Sequence, residues 1–288
     1  MLEQLDLTRA LSKDEYRARM TPLKFEMYQI GRAVFESKTP VLIVFEGVGT
    51  AGMGRAITAL VTRLDPRGYR VHPISAPSER ELRYPWLHRF WLRAPARGEI
   101  AIFHGSWYRR VLIDRVAKNI AKHAWRDDAS SRKLRKLRRV RDDTAEAYRD
   151  IQDFERTLAD DGVVIQKFWL HIDNQEQKRR IKKLLNTKTT AWRVSQEARL
   201  GADRYDEFIL AAEEMFGYTQ AEYAPWTLVS ASNRRWMTVQ VFETLIARLK
   251  PFVAAQLLEI SPDDLAMQQA LEQELEDAGE YRPHPNAG

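Results

Sequence analysis

The chain reads as an α/β fold in three layers, a parallel sheet flanked by helices on both faces. Short β-branched runs alternate with longer helical segments along most of the 288 residues, the pattern of βαβ units. The run Val41-Leu42-Ile43-Val44-Phe45 has no polar position, as expected of a strand buried on both faces. A glycine-rich turn, Gly47-Val48-Gly49-Thr50-Ala51-Gly52-Met53-Gly54, follows at once and leads into the apolar stretch Ala56-Ile57-Thr58-Ala59-Leu60-Val61. Strand, glycine turn and helix direct the free N–H groups of a helix start at one point, where a phosphate group is held.

The remaining elements follow in order. Ser12-Lys13-Asp14-Glu15 is a capping box that opens a first helix. Thr21-Pro22, an N-cap followed by an N1 proline, predicts a second helix running to about Ser37. After the strand at 41–46, a helix over 54–64 ends at the turn Asp65-Pro66-Arg67-Gly68. Strands are predicted at 70–75, 100–103, 163–170 and 227–231, and helices from Ser106 to about Lys122 and over 144–160, 174–185, 202–216 and 235–249. The aromatic residues Tyr84, Trp86, Phe90 and Trp91 are read as core. Ser78 is read as the N-cap of a short helix, with Glu81 in its first turn.

Composition narrows the function. Hydrophobic residues make up 44% of the chain and aromatic residues 10%, which fits a globular protein with a large core. No apolar run approaches the roughly 20 residues that span a bilayer, and the mixed, partly acidic start lacks the pattern of a secretory signal. The sequence has no cysteine, which excludes disulfides and thiolate metal sites and suits a cytoplasmic protein. Net charge is +6, unevenly placed: residues 251–288 carry eight acids against Arg282 alone, so residues 1–250 carry +13. Seven of the ten residues at 132–141 are Lys or Arg. A polycationic body with an acidic tail points to a polyanionic ligand, with docking of 259–280 on 132–141 as one way to offset the repulsion.

The loop itself departs from what transfer chemistry needs. The G-x-x-x-x-G spacing between Gly47 and Gly52 is intact. The next two positions should be a lysine reaching the transferred phosphates and a hydroxyl on the metal, but they are Met53 and Gly54. Candidate phosphate-binding residues are therefore Gly47, Thr50, Ala51, Gly52, Gly54 and Arg55.

Several further segments carry a resemblance. They include Phe45-Glu46-Gly47, Pro77-Ser78-Glu79, Tyr84-Pro85-Trp86-Leu87-His88-Arg89-Phe90-Trp91, Ser106-Trp107-Tyr108, Phe154-Glu155, Lys167-Phe168-Trp169-Leu170-His171, Trp192-Arg193-Val194-Ser195 and Ala224-Pro225-Trp226. In this order and spacing they resemble the polyphosphate kinase 2 family, closest to its AMP-phosphorylating branch, over roughly residues 20–250. The resemblance implies a P-loop kinase-like fold over 1–250 with a helical basic lid at about 114–145, and the charge distribution sets off an acidic tail over 251–288. It also implies phosphoryl exchange between polyphosphate and nucleotides, a homo-oligomer or an assembly with an active relative, and Mg²⁺ if any transfer is retained.

Measured against that family, the catalytic positions are degenerate. Gly49 stands where the pattern has an aspartate, Met53 replaces the lysine, His104 and Gly105 replace an Asp-Arg pair, and Asn233 replaces a later acid. Phosphoryl transfer needs cations and metal-holding carboxylates around the transferring group. Losing one such stabilising group costs ~100- to 1,000-fold where it resembles a lost oxyanion donor. The expectation is a pseudoenzyme, or a very weak phosphotransferase, that still binds polyphosphate or nucleotide through Glu79, Arg80, Arg110, Arg115 and Arg193, with no catalytic residue and no metal ligand assigned. His104 is read as a neutral filler more than a catalytic base. Two alternatives stand beside it: an active enzyme using Glu46 or Asp114 for metal and Arg55 for the lysine, and a basic nucleic-acid-binding protein, for which no recognised motif appears.

Overall fold

The computed structural model describes residues 1–116 and 144–253, with two isolated positions beyond. Five strands form one parallel sheet in the order β2-β3-β1-β4-β5. They are β1 (Val41–Gly47), β2 (Tyr69–Pro73), β3 (Ile100–His104), β4 (Val164–His171) and β5 (Trp226–Ser230). The two central strands, β1 and β4, are buried at every position, and the outermost, β2, is half-open to solvent. This is the three-layer α/β architecture the patterning predicts. Among the described residues no helix is long and apolar enough to cross a membrane.

Helices cover both faces: α1 (Lys13–Glu36), α2 (Met53–Val61), α3 (His88–Trp91), α4 (Thr144–Asp160), α5 (Asn174–Leu185), α6 (Lys188–Ala191), α7 (Gln196–Asp203), α8 (Tyr205–Thr219) and α9 (Arg234–Leu249). The capping box forms as expected, with Glu15 N–H donating to Ser12 Oγ and Ser12 N–H to Glu15 Oε2. The predicted break at Thr21-Pro22 does not occur. Helix α1 runs through Pro22, and the Thr21 hydroxyl turns back to donate to the Arg17 carbonyl at 3.0 Å. Burial of Met20, Phe25, Met27, Ile30, Ala33 and Val34 along one continuous face outweighs the hydrogen bond proline forfeits. The segment predicted as one helix at 202–216 is two, α7 and α8, broken at Arg204, whose backbone leaves the helical region.

After β3 the predicted helix begins as a 3-10 turn, Trp107–Arg110, capped by Ser106. Its continuation past residue 116, the basic run at 132–141, the rest of the lid and the acidic tail with its expected helix at 262–278 lie outside the described residues. The aromatic cluster is only partly core: Phe90 is buried, while Tyr84 and Trp91 are exposed. Tyr84 stacks on His88 at the surface instead, with ring centroids 4.4 Å apart.

A buried polar network fixes the layer beside β3. Lys167 on β4, fully buried, donates to Glu155 Oε2 (2.7 Å), Tyr108 Oη (2.8 Å) and the Thr219 carbonyl (2.8 Å). Glu155 Oε1 also accepts from the Tyr108 hydroxyl at 2.6 Å and from Trp107 Nε1 at 3.0 Å. All three donors of the ammonium and both carboxylate oxygens are thus used, the condition under which a buried ion pair is tolerated.

Candidate functional site: the glycine loop and its arginine brace

The loop leaves β1 at the C-terminal edge of the sheet. Gly47 has φ +152°, and a Cβ there would sit 2.2 Å from the Leu170 carbonyl oxygen of β4, so no other residue fits. Gly52, the N-cap of α2, has φ +114°, again a glycine conformation. Between them Thr50 adopts φ +67°, a strained choice for a β-branched residue. Val48 N–H is used by Leu170 and Ala51 N–H by Val48. The amides of Gly49, Thr50, Gly52, Met53, Gly54 and Arg55 have no partner among the described residues. Six free donors at the start of a helix, with the dipole of α2 behind them, are the arrangement that an anion-binding nest requires.

One side chain braces this loop. Arg180, buried on α5, donates from Nη1 to the carbonyls of Thr50 (3.2 Å) and Ala51 (3.0 Å), and from Nη2 to those of Ala231 (2.8 Å) and Ser232 (2.9 Å). Its Nε reaches Glu176 at 2.6 Å. A single planar guanidinium therefore ties the carbonyls of the loop to the end of β5. Lysine could not span four carbonyls this way. Sequence reading missed Arg180. The only signal was its place four residues after Glu176 on a helix, where a salt bridge is common and uninformative.

The structure places the positions read as departures from the family pattern as follows. A Cβ on Gly49 would meet Ala198 Cα and Cβ, both at 3.0 Å, and Gln177 Nε2 at 3.2 Å, so α7 occupies the space where a side chain at 49 would begin. Met53 packs against the core as a half-buried side chain. His104 ends β3 and lies 3.9 Å (Cε1) from where a Gly54 Cβ would be. Burial pushes its pKa down, so it is neutral at the loop rather than a cation. Gly105 donates its N–H to the Phe45 carbonyl at 3.0 Å.

The one acid at the strand end is Glu46, 8% exposed, which accepts from the Ser106 hydroxyl at 2.7 Å. Burial pushes its pKa up to about 7, against the lowering effects of Ser106 and Arg109. Arg109 is itself held by Glu197 and, at 3.5 Å, by Asp114. Magnesium prefers ionised, partly hydrated carboxylates. Burial raises the Glu46 pKa to about 7 and its Oε1 already accepts from Ser106, while Asp114 is paired with Arg109. The residues present do not fit the Mg²⁺ that the resemblance implies, and among the described residues no group of three His, Cys, Asp or Glu is placed to hold a metal.

The other expected contacts are scattered. Glu79 and Arg80 are exposed. Their neighbour Glu81 does the local work, accepting from Ser78 N–H at 2.9 Å and pairing with Arg89 and Arg93, both at 3.3 Å. Arg110 lies over the Trp86 ring at 4.9 Å, Arg115 pairs with Glu214 at 2.8 Å, and exposed Arg193 lies over Trp192 at 5.4 Å. At the loop itself stand Arg55 of α2, which was expected there, and Arg234 of α9, which was not. Partial burial lowers the Arg234 pKa, and the positive charge of Arg55 and Arg180 lowers it further.

The family model of polyphosphate kinase 2 matches residues 10–140 and 120–255. The chain belongs to the polyphosphate kinase 2 family. It is 36% identical over 245 residues to a polyphosphate:AMP phosphotransferase of Pseudomonas aeruginosa, covering 85% of this chain and 46% of that protein. It is 32% identical over 217 residues to an AMP/ADP-polyphosphate phosphotransferase of Meiothermus ruber, covering 73% of each. The crystal structure of a polyphosphate kinase 2 from Arthrobacter aurescens superposes with a TM-score of 0.75 at 25% identity, covering 95% of this chain and 93% of that one. The chain spans somewhat under half the length of the first curated relatives it matches, 46%, 45% and 42%.

Proposed function

We propose that this chain binds polyphosphate, or the phosphate groups of a nucleotide, at the 47–55 loop, and that it transfers phosphoryl groups weakly or not at all. One observation carries the reading. A Cβ on Gly49 would stand 3.0 Å from Ala198 Cα and Cβ, which crowds the position where the resemblance places a carboxylate. Met53 and neutral His104 at the same loop leave the anion nest without the fixed lysine and the second acid. Binding needs only free amides and nearby cations, whereas transfer needs charge neutralisation as the bond breaks. The chain acts in the cytoplasm, as a homo-oligomer or beside an active relative.

The names of the relatives, phosphotransferases acting on AMP or ADP, favour a second reading, a working enzyme in which Arg55 replaces the lysine. An assay with polyphosphate, Mg²⁺ or Mn²⁺, and AMP, ADP or GDP separates the two. The binding reading expects polyphosphate affinity with no magnesium dependence and no turnover above background. Turnover that Arg55→Ala abolishes would establish the second reading and end the first.

A further inference from the structure

Helix α7 presses on the glycine loop with one face. A Cβ on Gly49 would stand 3.0 Å from Ala198 Cα and Cβ, and the preceding residue, Glu197, pairs with Arg109 of the 3-10 turn after β3. Arg109 is shared, since Asp114 reaches its Nε at 3.5 Å. Gln177 Nε2 adds a long hydrogen bond, 3.4 Å, to the Ala198 carbonyl. Helix α7 therefore brings the loop both a steric neighbour and a carboxylate. The charge of Glu197 is felt at Glu46, one residue before Gly47, where it opposes ionisation. Crowding and negative charge both work against an anion settling on the free amides of the loop.

Little apolar surface holds α7 in that position. Of its eight residues only Leu200, half-buried, packs against the main core. Val194 and Ala202 are buried outside that core. Between α7 and α5 lies an open cavity of about 340 Å³, bounded by Ile181, Lys182 and Leu185 on one side and Arg199, Ala202 and Asp203 on the other. The chain entering from α5 is exposed from Leu185 to Thr189, and the chain leaving breaks from helical geometry at Arg204 (φ −122°, ψ 40°). Segments with few buried apolar contacts open locally at low cost, so the place of α7 depends on its polar contacts. The cavity gives it room to withdraw.

Resting on the proposed binding at the loop, we infer that α7 is an autoinhibitory strap: the Arg109–Glu197 pair latches it against Gly49, and release of that pair uncovers the loop for an anion. Hydrogen exchange of the full chain, read by mass spectrometry, tests the latch in Glu197→Gln, Arg109→Met and the double variant. Each single change should speed exchange of the α7 amides about fivefold, the upper end for a partly exposed ion pair, while the amides of α5 keep the wild-type rate. The double variant should exchange no faster than either single one, as for two halves of one contact. Calorimetric titration with tripolyphosphate tests the inhibition. Affinity should rise by the same factor as exchange, because apparent affinity follows the population of the binding-competent state. Arg109→Met is the deciding variant: it removes a cation beside the loop, so charge alone makes binding weaker, whereas the strap makes it tighter. Wild-type exchange in α7 for the single variants, additive effects in the double one, or weaker binding by Arg109→Met overturns the strap and leaves the loop site standing. Faster exchange with no tripolyphosphate binding in any variant overturns the proposed function, and the inhibitory role with it.

Discussion

Replacing Arg180 by methionine tests the site at its most connected point. The guanidinium makes four hydrogen bonds to carbonyls at 2.8–3.2 Å and one ion pair to Glu176 at 2.6 Å. Removing one partner of a buried ion pair typically costs about 3–5 kcal/mol because a charge is stranded. Here Glu176 keeps Arg179 at 2.6 and 2.7 Å, and two of the four carbonyls are only part-buried, so water replaces some of the loss. The expected destabilisation is about 2–4 kcal/mol, a fall in Tm of about 5–15 °C for a domain of this size. Polyphosphate affinity should fall as well, because Thr50 at φ +67° loses the contact that holds its carbonyl away from the nest. Urea denaturation read by tryptophan fluorescence, with calorimetric titration in parallel, gives both quantities. Arg179→Met is the control, since exposed Arg179 pairs with the same acid and should change stability by less than about 0.5 kcal/mol. Should Arg180→Met unfold within that same margin of the wild type, the brace is not a structural element and the account of the loop fails.

Further predictions follow from buried charge and from close packing. Glu46 has its pKa raised from 4.5 to about 7, so the folded state holds a proton the unfolded chain releases; this contribution is complete below pH 4.5 and lost as pH rises through 7. Glu46→Gln should therefore flatten the stability profile between those limits by about 3 kcal/mol, and unchanged slopes in denaturation at pH 5, 6 and 7 would contradict it. Gly49→Asp should destabilise by about 1–3 kcal/mol through overpacking, since both Ala198 Cα and Cβ stand 3.0 Å from the new Cβ; Ala198→Gly in the same chain should restore only part, as thermal melts of the three variants would show. Lys167→Met leaves Glu155 buried beside Trp107 and Tyr108 and should cost about 3–5 kcal/mol, more than the double variant Lys167→Met/Glu155→Gln; a double variant no more stable than the single one would refute the stranded-charge explanation.

The sheet was legible because its signal is local and redundant. Runs such as Val41–Phe45 and Val164–Ile165 with Phe168–Leu170 are apolar at successive positions, and the structure places them at the buried centre. The same holds for the helix at 174–185, which begins and ends where the sequence puts it, and for the end of the helix at 144–160. Failures came where tertiary contact overruled a local rule. Thr21-Pro22 carries a helix-start signature, yet the face from Met20 to Val34 packs as one stripe and the helix continues. Tyr84 and Trp91 are exposed despite their size, because residues 81–92 lie at the rim of the sheet beside β3 rather than within it. The site was half-visible. The glycine spacing marked the strand–loop–helix turn, but Arg180, Ala198 and Gln177 come from α5 and α7, more than a hundred residues later, and nothing in their local sequence announces a partner at residues 49–51.

Gly47 has a wider consequence for how such chains are read. With β4's Leu170 oxygen 2.2 Å from any added carbon, its identity is dictated by the joining of two adjacent strands, whatever chemistry takes place above them. A descendant that abandoned catalysis would still be obliged to retain it, whereas positions 53 and 54, where a side chain has somewhere to go, are at liberty to drift. A preserved glycine signature is therefore testimony about backbone geometry, and only the residues interleaved with it speak to turnover.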